Sequence, residues 1–497
     1  MKRYKSLIVL LVAATLLLAP FSAFASVREG SGEASLLQEG EYSVKALSDR
    51  GQALLGATNV EDYIYAQLKA VSSSFSLYSY NININDLSAL ISDVINDNPD
   101  LFYVSSSFSY TFYYNGRTSE VTPQYVMTSA EIEANSVIFE YGVDCALSIV
   151  DSSMNDLQKA TVIHDYICDL ATYPQLSSGT VFDQNGYPVD DLDEDIYHSA
   201  FGFFYDQNIV CAGYSLTYSY LMNQLGVDCE YVSSDEMGHA WNKIKIDGSW
   251  YNADLTFDDF DYEQYQNTRG SVQHCFFLKS DSYFQSLSGY FHYGGATFDT
   301  CNSTSTLYDD AFFNDVNSMI YVVNGDFYYL DPDFTNGWVY LVKRTQQGTE
   351  QNIGYKLPAT YITFEPGIYD KDGNSYDAPY SDLLARLTYL DGRFYVAANT
   401  KLYSMKLDGT RKVIKPQLEY YVVGLGTTPP GQEVSDGNIN YRNVIYNIYG
   451  DVDDYELDKV EYFHDYLSTN QNSSYNNYPD IDYNGYINAK DYAMMGV

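Results

Sequence analysis

Cys211, His239 and Asp254 follow one another within NIVCAGYSLTYSYLMNQLGVDCEYVSSDEMGHAWNKIKIDGSWYNADLTFDD. A thiol, an imidazole and a carboxylate are the groups from which a nucleophile, its general base and the base's orienting partner are built. The elements that must position them are legible in the same segment. Ala212, Leu216, Tyr220 and Leu221 recur at three- and four-residue spacing, and Gly226 closes the run, which predicts a helix with Cys211 in its first turn. There, unpaired N–H groups and the positive end of the helix dipole favour thiolate over thiol. The plain alternative is a buried structural cysteine.

Cys229-Glu-Tyr-Val-Ser reads as a short strand, and Ala240–Ile246 and Ser249–Leu255 alternate about Asp247-Gly248, a two-residue hairpin signal. With Ile246 opposite Ser249, Trp241 falls opposite Asp254 and His239 opposite Thr256. His239 and Asp254 are then diagonal neighbours on one face, about 7–8 Å apart at the backbone and within side-chain reach. Trp241, Trp250 and Asn252 share that face, while Ala240, Ile244, Ile246, Tyr251, Ala253 and Leu255 form an apolar face suited to a core. A loop one residue longer would send Asp254 to the wrong side.

VCAGYS at Cys211, GHAWN at His239 and YNADLTFDD around Asp254 resemble the three signature blocks of the transglutaminase-like superfamily, whose fold is related to that of papain-like peptidases. NDNPDLFYV (96–104), DLQKATVIHDYICDLATY (156–173) and HSAFGFFYDQNIVCAGYS (198–215) resemble the lead-in of secreted bacterial members, so the resemblance spans residues 55 to 300. It implies Cys211 as nucleophile, His239 as general base and Asp254 as the residue that orients the histidine. Such a site forms a thioester; water as acceptor makes an amidase or peptidase, an amine makes a transglutaminase. The tetrahedral intermediate also needs an oxyanion donor. The Cys211 backbone N–H is one candidate, and Tyr205, Gln207 and Asn208 lie just upstream. We carry Gln207 and Trp241 as the oxyanion and support candidates and leave the role open.

A second pattern lies near the other end. In Asp480-Ile-Asp482-Tyr-Asn484-Gly485-Tyr486-Ile487-Asn488-Ala-Lys-Asp491, oxygen ligands fall at loop positions one, three, five, nine and twelve, with Gly485 at the sharp turn. A calcium loop of EF-hand type requires this spacing, with the backbone of Tyr486 supplying position seven. Asp451 and Asp453, followed by Tyr455-Glu-Leu-Asp-Lys-Val-Glu-Tyr-Phe, resemble a shortened first copy with a helix after it. Two such units resemble a dockerin, which implies structural calcium and a cohesin domain of a cellulosomal scaffold protein as partner. A solvated acidic tail is the alternative.

Met1-Lys-Arg-Tyr-Lys5, the apolar stretch Ser6–Leu18 and Ala23-Phe-Ala25 read as a secretory signal peptide cut before Ser26. Removing Lys2, Arg3 and Lys5 takes the formal charge from −39 to −42. So acidic a chain is repelled by nucleic acid and anionic membranes, and suits solubility outside the cell. The six cysteines (145, 168, 211, 229, 275 and 301) fit an export route that permits disulfides, with an odd number left once Cys211 is reserved. The 53 tyrosines fit contact with carbohydrate or another extended polymer, or plain compositional bias.

The chain therefore reads as α+β, a transglutaminase-like catalytic domain with N-terminal helices, an all-β module and a small α-helical calcium-binding dockerin. The expected boundaries are a signal peptide at 1–25, a disordered lead at 26–50, the catalytic domain at 51–304, the β module at 305–425, a linker at 426–438 and the dockerin at 439–497. Helices are expected at Asp62–Ala70, Leu87–Asn98, Ala130–Ser148 and Asn155–Ala171. The β module is read from paired hairpins at Met319–Asp331 and Leu387–Ala397 with strands at Trp338–Arg344 and Lys401–Leu407. His164 and His198 are read as structural, no zinc site is expected, and none of the chemistry calls for a cofactor. The sequence thus points to a secreted, cellulosome-associated cysteine enzyme acting on amide bonds of protein or peptide substrates. The other reading is a binding or adhesion protein whose triad has decayed.

Overall fold

A computed structural model describes residues 34–36, 59–173, 194–234, 238–259, 270–286, 301–354, 356–359, 361–363, 381–383, 385–390, 392–399, 401–415, 421–427, 444–449 and 460–463. The signal peptide, Asp451, Asp453, and the loop residues Asp480, Asp482, Asn484, Tyr486, Asn488 and Asp491 lie outside the described residues. The fold is mixed α+β, with several small sheets. The chain gathers into two compact units, residues 1–143 with 176–220, and residues 144–175 with 221–497.

In the first unit, α1 (Val60–Lys69) and α2 (Ile84–Asp97) are N-capped by Asn59 and Asn83, whose side chains accept from Asp62 N and Asn85 N. Such caps satisfy N–H groups that the first turn leaves without partners. A four-stranded sheet runs β1 (Ala34–Leu36), β3 (Val104–Phe112), β4 (Thr118–Tyr125), β2 (Phe75–Ser76). Ala34–Leu36, within the 26–50 lead, pairs parallel with the edge of β3. The helix α3 (Ser129–Leu147) brings Phe139 against Phe102, which stacks on Phe201 at 4.4 Å between centroids. Two short helices, α5 (Glu194–Tyr197) and α6 (Ala200–Tyr205), lead to α7 (Cys211–Gln224), whose end is closed by Gly226 at φ +75°.

In the second unit, α4 (Asp156–Leu170) starts with a capping box between Asn155 and Gln158. A three-stranded antiparallel sheet runs β5 (Cys229–Ser234), β6 (His239–Ile246), β7 (Ser249–Ala253). Asp247 and Gly248 both have positive φ, as a tight primed turn demands, and set Ile246 opposite Ser249 and Asn242 opposite Ala253. The strand stops one residue before Asp254, so Thr256, expected opposite His239 in the sheet, lies instead in the short helix α8 (Leu255–Asp258).

Both faces of this sheet are covered. Ile244, Ile246, Tyr251 and Ala253 are buried on one face, and Trp241, Lys243 and Asn252 are fully buried on the other. Lys243 Nζ donates to Asp281 Oδ1 at 2.7 Å and to the Cys301 carbonyl at 2.9 Å. Asn252 Nδ2 donates to the same Asp281 oxygen at 2.8 Å, so the segments around Asp281 and Cys301 supply partners for the polar face.

The β module continues this unit. One sheet contains β8 (Tyr321–Val323), β9 (Asp326–Asp333), β10 (Trp338–Arg344) and β11 (Glu350–Asn352) in sequence order, with β12 (Leu357–Pro358) also on β10. A two-stranded pair, β13 (Tyr361–Thr363) and β14 (Ser381–Leu383), follows. A second meander, β15 (Ala385–Leu390), β16 (Arg393–Ala398), β17 (Lys401–Lys406) and β18 (Arg411–Lys415), shares a core with the first through Tyr328, Leu330, Val339, Leu341, Leu387, Phe394, Val396 and Met405. Three further strands, β19 (Tyr421–Thr427), β20 (Val444–Tyr449) and β21 (Val460–Phe463), form an antiparallel sheet. Val460–Phe463, read as part of a helix after Asp453, is instead a strand; Val-Glu-Tyr-Phe is rich in β-forming types.

Candidate active site

Cys211 is the first residue of α7 and is half-buried. Two glycines allow the chain to pack closely there. A Cβ on Gly213 would stand 2.7 Å from both Ile209 Cβ and the Tyr197 carbonyl. One on Gly202 would stand 2.7 Å from the Ile196 carbonyl and 2.9 Å from that of Asn208. Ser215 Oγ donates to the Cys211 carbonyl at 2.8 Å, and Tyr214 N bonds to the Val210 carbonyl at 3.1 Å. Cys145, Cys211 and Cys275 are half-buried, and Cys168, Cys229 and Cys301 are buried. Burial pushes the Cys168 and Cys229 thiols well up, and that of Cys275 to about 12.

Gln207, the upstream support candidate, has φ +68°, a left-handed conformation unusual for a residue with a side chain. Its N–H and that of Asp206 both bond to the Gly202 carbonyl, at 3.0 and 3.1 Å, closing α6. Asn208 N donates to Asp206 Oδ1 at 3.1 Å.

His239 opens β6 with its side chain 10% exposed, and its Nε2 lies 2.7 Å from Oδ2 of the fully buried Asp254. Asp254 Oδ1 accepts the Phe257 N–H at 3.2 Å, so this residue is also the N-cap of α8. The imidazole lies face to face with Phe257 at 4.7 Å between centroids and with Trp241 at 6.2 Å. Trp241 is held by its own Nε1–H, which donates to Asn252 Oδ1 at 3.3 Å. A His–Asp pair bonded through Nε2 exchanges its working proton through Nδ1. Cys211 belongs to the first compact unit, whereas His239, Trp241 and Asp254 belong to the second.

Sequence reasoning missed a fully buried polar set in the second unit. His164 Nδ1 lies 2.9 Å from Asp165 Oδ1, and His164 Nε2 lies 3.2 Å from Asp258 Oδ2. His274 Nε2 lies 2.9 Å from Asp165 Oδ1, and its Nδ1 donates to the Val316 carbonyl at 2.9 Å. Burial alone would lower the His164 pKa, but the hydrogen bonds to Asp165 and Asp258 outweigh it and raise it to about 9. Burial pushes Asp258 up against the opposing pull of His164, while the two histidines bring Asp165 down. Among the described residues, His164, Asp165 and His274 are the group whose ligand atoms lie close enough to hold a metal ion, within 4.8 Å of one another. Each of the four ring nitrogens already has an oxygen partner in the protein. The only signal in the sequence was the adjacency of His164 and Asp165; Asp258 and His274 stand about a hundred residues away.

No protein-family profile matches the chain, and no curated protein matches it. Among solved structures there is a weak likeness to a crystal structure of a TGase, at 15% identity and a TM-score of 0.21, covering 37% of this chain and 50% of that chain. The chain thus spans about half the length of that structure. Among the described residues, no helix is long and apolar enough to cross a membrane.

Proposed function

We propose that the chain is a cysteine enzyme of transglutaminase-like type that transfers or hydrolyses acyl groups at amide bonds of protein or peptide substrates. The observation that carries this reading is the His239–Asp254 pair, 2.7 Å apart, largely buried and flanked by aromatic rings. The start of α7 adds a half-buried thiol at a helix N-terminus, where thiolate is favoured. In the proposed reaction Cys211 Sγ gives its proton to His239 and attacks the substrate carbonyl carbon, forming a tetrahedral oxyanion. The C–N bond then breaks, the amine leaves with the proton from His239, and a thioester remains. Water or a second amine attacks the thioester, again losing its proton to His239, and returns the thiol. Asp254 holds the ring and balances the imidazolium charge that forms in each step.

The backbone N–H of Cys211 and the side chain of Gln207 are the proposed oxyanion donors, and Trp241 the support for the imidazole. We further propose export of the protein, structural calcium in the Asp480–Asp491 loop and docking to a cohesin, all supported by sequence spacing alone. Mass spectrometry of a peptide library treated with the protein, with and without a primary amine, tests the reaction. Cleaved or deamidated peptides, or amine adducts, lost in Cys211→Ala are the expected result. An unaltered library would favour the binding or adhesion reading.

A further inference from the structure

We propose that His164 and Asp258 are positioning residues: with Asp165 and His274 they lock the turn that presents Asp254, and through it the orientation of His239. The proposal rests on the assignment of His239 and Asp254 to the site. The geometry is a closed ring of hydrogen bonds. Asp254 N donates to the Phe276 carbonyl at 3.1 Å, Phe276 N donates to Asp258 Oδ1 at 2.9 Å, and Asp258 N returns to the Asp254 carbonyl at 3.1 Å. The Asp258 carboxylate therefore closes the loop that fixes the Asp254 backbone, and Gln273 N adds a fourth bond, to the Asp258 carbonyl at 3.0 Å.

An acid group fully buried in this way is tolerated only with a charge-assisted partner. His164 supplies it through Nε2, while its Nδ1 faces Asp165, so carboxylates flank both ring nitrogens. Asp165 is fixed in turn by His274 Nε2 at 2.9 Å and by the Ile320 N–H on Oδ2 at 2.6 Å. Other titratable groups facing this set are Cys168, whose Sγ lies 3.9 Å from His164 Nε2, with Cys275, Asp259, Lys279 and Tyr283 at its edge. Four chain segments, α4, α8, the 270–279 loop and the entry to β8, thus meet at one buried set of charges hydrogen-bonded to the turn that carries Asp254. A purely structural core would be served as well by apolar side chains. Here the polar contacts converge on the turn that carries the orienting carboxylate.

The test is histidine side-chain NMR on the full chain labelled with isotopic histidine, with each of the six histidines assigned by a His→Gln replacement. The readout is the titration midpoint of His239. Asp254→Asn should lower it by about one unit or more through loss of the adjacent negative charge. His164→Gln and Asp258→Asn should each lower it by about half that amount or more, because the carboxylate at 254 is no longer held on the ring. An unmoved His239 midpoint in both variants, with Asp254→Asn still shifting it, would overturn the proposal. Should these variants fail to fold, the wild-type protein decides. Both His164 ring nitrogens protonated at about pH 7.5 and no bound metal support it; a deprotonated ring nitrogen or a stoichiometric metal ion overturns it. If instead the catalytic reading fails, Cys211 alkylation is indifferent to His239 while the His239 midpoint still follows Asp258.

Discussion

Asp254 divides its two oxygens: Oδ2 lies 2.7 Å from His239 Nε2, and Oδ1 accepts the Phe257 N–H at 3.2 Å. One carboxylate thereby orients the imidazole and caps the helical turn that follows it. The strand ends at Ala253, and Asp254 keeps an extended backbone, φ −119° and ψ 94°, so the alternation that puts it on the His239 face holds one residue past the strand.

These two duties separate by mutation. Asn is as good an N-cap as Asp but carries no charge. Asp254→Asn is expected to leave the unfolding midpoint nearly unchanged while slowing Cys211 alkylation near neutral pH by about tenfold or more. Asp254→Ala removes the cap as well and should cost about a further 1 kcal/mol in urea unfolding.

The buried His164 gives stability a pH dependence of defined sign. Its folded pKa of about 9 lies above the unfolded value of 6.5, so its contribution is fully present below pH 6.5 and is lost as pH rises through 9. Thermal unfolding followed by circular dichroism should show a midpoint falling across that window, by an amount on the order of a few kcal/mol in stability. His164→Gln should be less stable at neutral pH and flatter over the same range.

Gly213 sets how closely the first turn of α7 approaches Ile209 and Tyr197. Gly213→Ala places a Cβ 2.7 Å from Ile209 Cβ and from the Tyr197 carbonyl, and backbone does not yield as a flexible side chain would. A loss of about 1–3 kcal/mol in urea unfolding is expected. Displacement of the helix start should also slow Cys211 alkylation. Gly226→Ala, at the other end of the helix, should cost stability through its positive φ without touching that rate.

Lys243 is a buried cation serving Asp281, Cys301 and Ser303. Lys243→Met leaves the half-buried Asp281 carboxylate without its charged partner and should destabilise by about 3 kcal/mol. Adding Asp281→Asn should recover part of that loss, a non-additivity that a double-mutant cycle measures directly.

Local pattern carried much of the fold. Asp247-Gly248 dictated the β6–β7 register to the residue, and the helices from Asp62, Leu87, Ala130 and Asn155 begin within three residues of where periodicity put them. The Asn324-Gly325 turn of β8–β9 and the hairpin at Gly392 were likewise legible from turn chemistry. What escaped was set by distant segments. Alternation put Trp241 and Asn252 on one face, but did not reveal the residues near Asp281 and Cys301 that bury Lys243 between them. His164 and His274 meet across more than a hundred residues, a contact that no local period encodes. The strand at Val460–Phe463 read as helix because an acidic loop motif upstream set the expectation, while β-forming side chains and pairing with Val444–Tyr449 decided the outcome.

Under the proposed function, Cys211 is the nucleophile and His239 its general base. The direct measurement is the rate of Cys211 alkylation by iodoacetamide from pH 5 to 9, resolved by mass spectrometry against Cys168, Cys229 and Cys275, whose thiols burial holds up. Rapid labelling of Cys211 at mildly acid pH, lost in His239→Ala, is the expected result. A Cys211 that labels like an ordinary thiol, at the same rate with or without His239, would contradict it.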